Sequence, residues 1–156
     1  MIKKQNKILS LGLPQLLAGY LITLLLFVLD RILKFSALNF NSVNPEFNGF
    51  FNFKKNFGIA FSIPIPQVIL YLLVIAILIL LVSISVKYLK QKKYSLHFIT
   101  ILVIFGAVSN IIDRIKFGFV VDYIDLKFWP VFNLADVMII AGVCFWVLSL
   151  NNLKKK

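Results

Sequence analysis

The chain has 156 residues, 60% hydrophobic and only 15% charged, with a mean hydropathy of +0.92 and a formal net charge of +11. Soluble domains carry about 45–50% apolar and about 25% charged residues, and a chain of this length has room for one domain, so the expected solvent is lipid. A single Cys, Cys144, and little polar low-complexity sequence exclude a disulfide scaffold and a disordered chain.

A bilayer core of roughly 30 Å takes about 20 apolar residues as helix, and four stretches meet that need. The first runs from Ile8 to Leu29, between Lys7 and Asp30. Its apolar run is longer than the roughly 7–15 residues of a secretory signal, and no small-x-small cleavage site follows, so it reads as a retained helix. An outer segment, 30–66, then alternates Asn and Phe in Phe47-Asn-Gly-Phe-Phe-Asn-Phe. That pattern suits short strands or an aromatic layer at the headgroup level.

The second span is Gln67 to Val86 and the third is Ser95 to Ile112, ending at Asp113. A second outer segment, 113–130, holds the strand-like run Phe119-Val-Val-Asp-Tyr-Ile and reaches Pro130. The fourth span, Val131 to Leu150, carries Asn133 and Asp136 inside its first turns. No internal repeat is visible. The expected fold is an α-helical integral membrane protein, one domain over 1–156, with four transmembrane helices and a small, outward-facing, partly β cap.

The positive charge reads first as topology. The N-terminus (Lys3, Lys4, Lys7), the loop between spans two and three (Lys87, Lys90, Lys92, Lys93) and the tail (Lys154, Lys155, Lys156) share one side and hold no acid. The other side holds seven basic residues with all six acids. Basic loops stay cytoplasmic, so both termini are expected inside, facing anionic headgroups, and nucleic acid is not an expected partner.

Elimination narrows the chemistry. A zinc site needs about three protein ligands. The single His, His97, starts span three, and Cys144 is deep in span four. The expected roles are an interfacial side chain for His97 and a small packing residue for Cys144, with no metal and no cofactor. No Gly-x-Ser-x-Gly or Gly-rich phosphate loop occurs. The carboxylates remain. Asp136 is the best case: it lies at the start of a span, where a charge is costly and tends to be functional, with helix capping as the alternative. Asp113 shares a helical face with Asn110 and could be an Asp–Arg anchor beside Arg114. Asp122 and Asp125 could be ordinary loop acids, and Asp30 with Lys34 a simple ion pair. On residues alone this is an outward carboxylate cluster with Asn and Arg partners, and no pair among the acids is singled out.

The motifs, taken in order, resemble those of the lipoprotein signal peptidases (signal peptidase II), aspartic peptidases of the bacterial inner membrane. Asp30-Arg-Ile-Leu-Lys34 matches an Asp-x-x-x-Lys block, and Asn56-Phe-Gly-Ile-Ala-Phe61 an Asn-x-Gly-x-Ala-Phe block. Gly106-Ala-Val-Ser-Asn110-Ile-Ile-Asp113-Arg114 matches a Gly-Asn-x-x-Asp-Arg block. Gly118-Phe-Val-Val-Asp122-Tyr123 and Phe132-Asn133-Leu-Ala135-Asp136 complete the set. The resemblance implies a catalytic pair, Asp122 and Asp136, with Asn110, Asp113, Arg114 and Asn133 supporting or binding near it. It places Asp30, Lys34, Asn56 and Gly58 at the outer surface and substrate entry. The implied substrate is a prolipoprotein, cut before its diacylglyceryl-modified Cys by an enzyme working alone, with no cofactor, at the outer face of the membrane. Ser109 departs from the pattern, standing where the resemblance has Gly, and the stretch from Asp122 to Asp136 is short. The rival expectations are a small transporter and a structural membrane subunit with an acidic outer rim.

Overall fold

The computed structural model describes residues 13–43, 49–58 and 66–154. The start of the first expected span, the Asn-Phe repeat before Gly49, and Ile59, Ala60 and Phe61 of the Asn56 block lie outside them. The described residues form helix α1 (Leu13–Val43), strand β1 (Phe51–Asn56), helices α2 (Gln67–Lys90) and α3 (Tyr94–Phe117), strand β2 (Val120–Ile124) and helix α4 (Leu134–Lys154).

Three helices are long and apolar enough to cross a membrane, over Leu16–Phe40, Val68–Lys90 and Tyr94–Phe117, and Leu134–Ser149 is a shorter apolar one. α2 is apolar on every side, with Leu72, Ile79 and Leu80 all exposed, as expected of a helix whose outer surface meets lipid. α1 runs well past the Leu29 boundary expected from sequence. Asp30, Lys34 and Ala37 recur at helical spacing and are all buried, so the helix turns its charges inward and continues as a polar-cored segment.

α3 is the central helix and packs against the other three. Its contact with α4 is close because of two glycines. A Cβ on Gly106 would lie 2.6 Å from the Ala135 carbonyl oxygen and 2.9 Å from Ile139 Cγ1. One on Gly142 would run into the Val103 side chain. α3 stops at Gly118, whose positive φ of 79° reverses the chain into β2 while its N–H returns to the Arg114 carbonyl.

The strands pair antiparallel, Lys54 opposite Asp122 and Asn56 opposite Val120, with one extra residue in β1 between Phe51 and Lys54. Val121 and Tyr123 point to one face and join Ala37, Leu33, Phe51 and Phe119 in an apolar cluster. Asp122 therefore points to the other face, because strand side chains alternate. Of the expected aromatic layer, Phe51 and Phe53 pack inward, whereas Phe50 and Phe57 are exposed.

Two sequence expectations change. His97 is buried, not interfacial: its ring bridges the Tyr20 hydroxyl on α1 and Ser85 on α2, so its polarity is satisfied between helices. Cys144 is exposed on α4 instead of packed.

Candidate active site

The site is built around the first turn of α4. A helix start leaves backbone N–H groups without intrahelical partners, and here each of the first four is met. Leu134 N–H donates to the Tyr123 hydroxyl at 3.1 Å, and Ala135 N–H to Asp30 Oδ1 at 3.1 Å. Asp136 N–H donates to Asn133 Oδ1 at 2.9 Å, and the Val137 N–H makes the first bond within the helix, to the Asn133 carbonyl at 3.3 Å. Asp136 Oδ2 in turn accepts the Asn133 N–H at 3.2 Å, closing a reciprocal capping box. The capping role weighed for Asp136 is thus real, yet it occupies one oxygen only. The other, Oδ1, accepts Asn110 Nδ2 at 2.8 Å.

Asp122 reaches the same place from the sheet. After Ile124 the chain turns and returns at Phe132, whose carbonyl accepts the Tyr123 and Ile124 N–H groups. The short stretch between the two aspartates is what sets Asn133 beside β2. Asn133 Nδ2 donates to Asp122 Oδ1 at 2.6 Å, so one asparagine grips both acids. Asn56 Nδ2 donates to Asp122 Oδ2 at 2.9 Å. Burial, and then the neighbouring Asp136 charge, raise the Asp122 carboxyl from 3.8 to about 7. Asp125, three residues on, behaves oppositely: donors from Asn52 and Lys127 pull its half-buried carboxyl down to about 2.

Behind this pair lies a second buried layer. Lys34 Nζ sits 3.1 Å from Asp30 and 2.8 Å from Asp113, and all three side chains are 0% exposed. The same ammonium donates to Asn110 Oδ1 at 2.8 Å. Arg31 pairs with Asp113 at 2.6 Å. Asp30 and Lys34 therefore organise the interior and not the outer surface expected of them, because Lys34 partnered by Asp30 and Asp113 can be buried where a lone charge cannot. Asp113 finds Arg31 and Lys34, and not Arg114, as its ion-pair partners. Arg114 donates instead to the Gly58 carbonyl, while Gly58 N–H donates to Asn56 Oδ1. Every site residue expected from sequence falls in one of these two connected layers. Arg31 and Tyr123 were missed. Arg31 stands in the sequence only as one of seven basic residues on its side, and Tyr123 only as part of a strand-like run, so neither signals its partners.

A cavity of about 360 Å³ opens onto the site, its polar wall formed by Asp136, Asn110, Arg114 and Asn56. Leu70, Val74, Ile139 and Ile140 make the rest largely apolar. Asp136 reaches the cavity. Asp122, only 2% exposed, stands behind Asn56.

A signal peptidase II family model matches residues 22–152. A lipoprotein signal peptidase of Moorella thermoacetica is 34% identical over 137 residues, covering 83% of this chain and 91% of its own. That of Clostridioides difficile is 36% identical over 141 residues, covering 82% and 93%. Among solved structures, a bacterial membrane enzyme determined by the in meso method at 2.3 Å shares 26% identity, with a TM-score of 0.68 over 86% of this chain and 88% of its own. A second, at 1.9 Å and 23% identity, shows the same fold with a TM-score of 0.64. The chain belongs to the signal peptidase II family of membrane aspartic peptidases.

Proposed function

We propose that Asp122 and Asp136 are the catalytic pair with which this enzyme removes the signal peptide of a prolipoprotein, cutting on the amino side of the diacylglyceryl-modified Cys. The observation that carries the assignment is Asn133 holding Asp122 and Asp136 together, with Asp136 lining a largely apolar cavity. Neither a carrier nor a structural subunit finds support, since the family match is to peptidases.

Burial and then the Asp136 charge raise the Asp122 carboxyl, and two acids coupled in this way titrate as a pair that shares a proton. The ionised member takes a proton from water as that water attacks the scissile carbonyl, and the protonated member donates to the carbonyl oxygen. In the second half-reaction a proton passes to the leaving amine. Asp136 faces the cavity already, whereas Asp122 is covered by Asn56 Nδ2. Substrate entry exchanges that Asn56 contact for water or carbonyl. The apolar wall takes the lipid, and Arg114, anchored to Gly58, faces the acids as a fixed positive charge.

The charge asymmetry of the sequence supports cytoplasmic termini and an outer-face site in the bacterial inner membrane. One chain holds all these residues, which supports action as a monomer.

Signal-peptide release from a lipid-modified prolipoprotein, followed by gel shift, tests the assignment. At equal membrane abundance, Asp122→Asn and Asp136→Asn should each lose about 10²–10⁴-fold in rate, the usual worth of an acid–base group. Normal cleavage by either variant would remove that residue from the pair.

A further inference from the structure

We infer that two buried hydroxyls, those of Ser109 and Tyr123, are positioning groups that aim Asp136 by locking Asp30. This rests on the catalytic reading of Asp136 given above. An ionised carboxylate has about four acceptor sites on its two oxygens, and Asp30 fills four. Oδ2 accepts Ser109 Oγ–H at 2.6 Å and Lys34 Nζ at 3.1 Å. Oδ1 accepts Tyr123 O–H at 2.9 Å and Ala135 N–H at 3.1 Å. The donors come from α3, α1, β2 and α4, so Asp30 ties four elements together with no exposed surface of its own.

Two routes lead from Asp30 to Asp136. One is the backbone: Asp30 caps α4 at Ala135, one residue before Asp136. The other runs through side chains, from Lys34 to Asn110 Oδ1 and from Asn110 Nδ2 to Asp136 Oδ1 at 2.8 Å. Each hydroxyl serves one route. Tyr123 also accepts the Leu134 N–H, so it fixes the helix start twice. Ser109 Oγ also accepts from Arg31 Nη1 at 3.2 Å and stands 3.5 Å from Lys34 Nζ, separating the two cations. Without it, Asp30 Oδ2 keeps only Lys34, draws it away from Asn110, and frees Asn110 to turn from Asp136. A glycine at position 109 would lack this group altogether. The departure from the family pattern at Ser109 therefore adds a hydroxyl at the centre of the network.

The test compares Ser109→Ala, Tyr123→Phe, their double variant and Asp136→Asn in the prolipoprotein assay, with folded protein quantified by size-exclusion and thermal unfolding. Each single hydroxyl deletion should lower kcat about tenfold, the loss of one hydrogen bond to a charged group. KM should stay within about twofold, because neither residue lines the cavity. The double variant should fall by less than the product of the singles, because both act through Asp30. The alkaline limb of the kcat profile should move in both singles. Fewer folded molecules with an unchanged kcat and pH profile would make the hydroxyls merely structural and overturn the inference, leaving the catalytic pair intact. Cleavage by Asp136→Asn would overturn the underlying reading, and this inference with it.

Discussion

Replacing Lys34 by Met keeps the length and packing of the stem and removes only the charge. The ammonium lies within 3.1 Å of Asp30, 2.8 Å of Asp113 and 2.8 Å of Asn110 Oδ1. Removing one member of a buried ion pair costs about 3–5 kcal/mol, because the remaining charge is left unpaired. Arg31 still holds Asp113 and two hydroxyls still reach Asp30, which places the cost near the lower end, about 3 kcal/mol. For a domain of this size that corresponds to a melting temperature roughly 6–12 °C lower. The assay is thermal unfolding of purified protein in one detergent, comparing wild type, Lys34→Met, and Lys34→Met with Asp30→Asn. The double variant should recover part of the loss, since it removes both members of the Lys34–Asp30 pair. A single variant melting within about 1 °C of wild type would show that Asp30 and Asp113 do not depend on Lys34, and the two-layer account of the site would fail.

Four further outcomes follow from the site. The Asp122 carboxyl stays protonated up to about pH 7, so a pair that works with one proton loses activity as pH rises through about 7; a rate flat to pH 9 would refute this. The same shift has a consequence for stability. A carboxyl raised from 3.8 to about 7 on folding lowers stability as pH climbs between those values, and unfolding midpoints of Asp122→Asn should show a flatter pH dependence there. Gly106→Ala drives a methyl toward the Ala135 carbonyl at 2.6 Å, so it should cost about 1–3 kcal/mol and shift the helix that carries Asp136, read as lower melting together with lower kcat. Asn133→Ala removes a helix cap worth about 1 kcal/mol and the Asp122 contact in one step, so its loss of rate should far exceed its loss of stability.

The membrane helices were legible because lipid imposes a single requirement, length of apolar run, which needs no tertiary information. The C-terminal end of α1 was not. Asp30, Arg31 and Lys34 look like a water boundary on hydropathy alone, and only their partners on α3 show that the helix carries them inward. The strand around Asp122 was legible from Phe119-Val-Val-Asp-Tyr-Ile, as was the coming together of Asn and Asp motifs. The direction in which each polar group points was not, since Asp113 sits beside Arg114 in sequence yet pairs with Arg31, 82 residues away. His97 shows the same gap: a lone histidine near a helix start gives no sign of Tyr20 and Ser85 waiting on two other helices.

The charge inventory around the pair explains why so much of the chain's scarce polar content is concentrated there. Four carboxylates, Asp30, Asp113, Asp122 and Asp136, share the site with three cations, Arg31, Lys34 and Arg114. Unbalanced charge is costly away from water. Arg31 with Asp113 and Lys34 with Asp30 make two compensated pairs, which leaves Arg114 facing Asp122 and Asp136. Arg114 spends its hydrogen bond on the Gly58 carbonyl, so it acts on the two acids through space and favours neither geometrically. One positive charge against two carboxylates is balanced when the pair holds a single proton, which is the form that can both activate water and polarise a carbonyl. On the proposed assignment, the buried charges behind the site bear on the proton count of the pair as well as on its geometry. Deleting Lys34 removes an attraction and deleting Asn133 removes a hydrogen bond, and each of the two holds the Asp122 carboxyl down, so both variants should move the alkaline limit upward, while only the Asn133 variant also loosens the grip on the two acids.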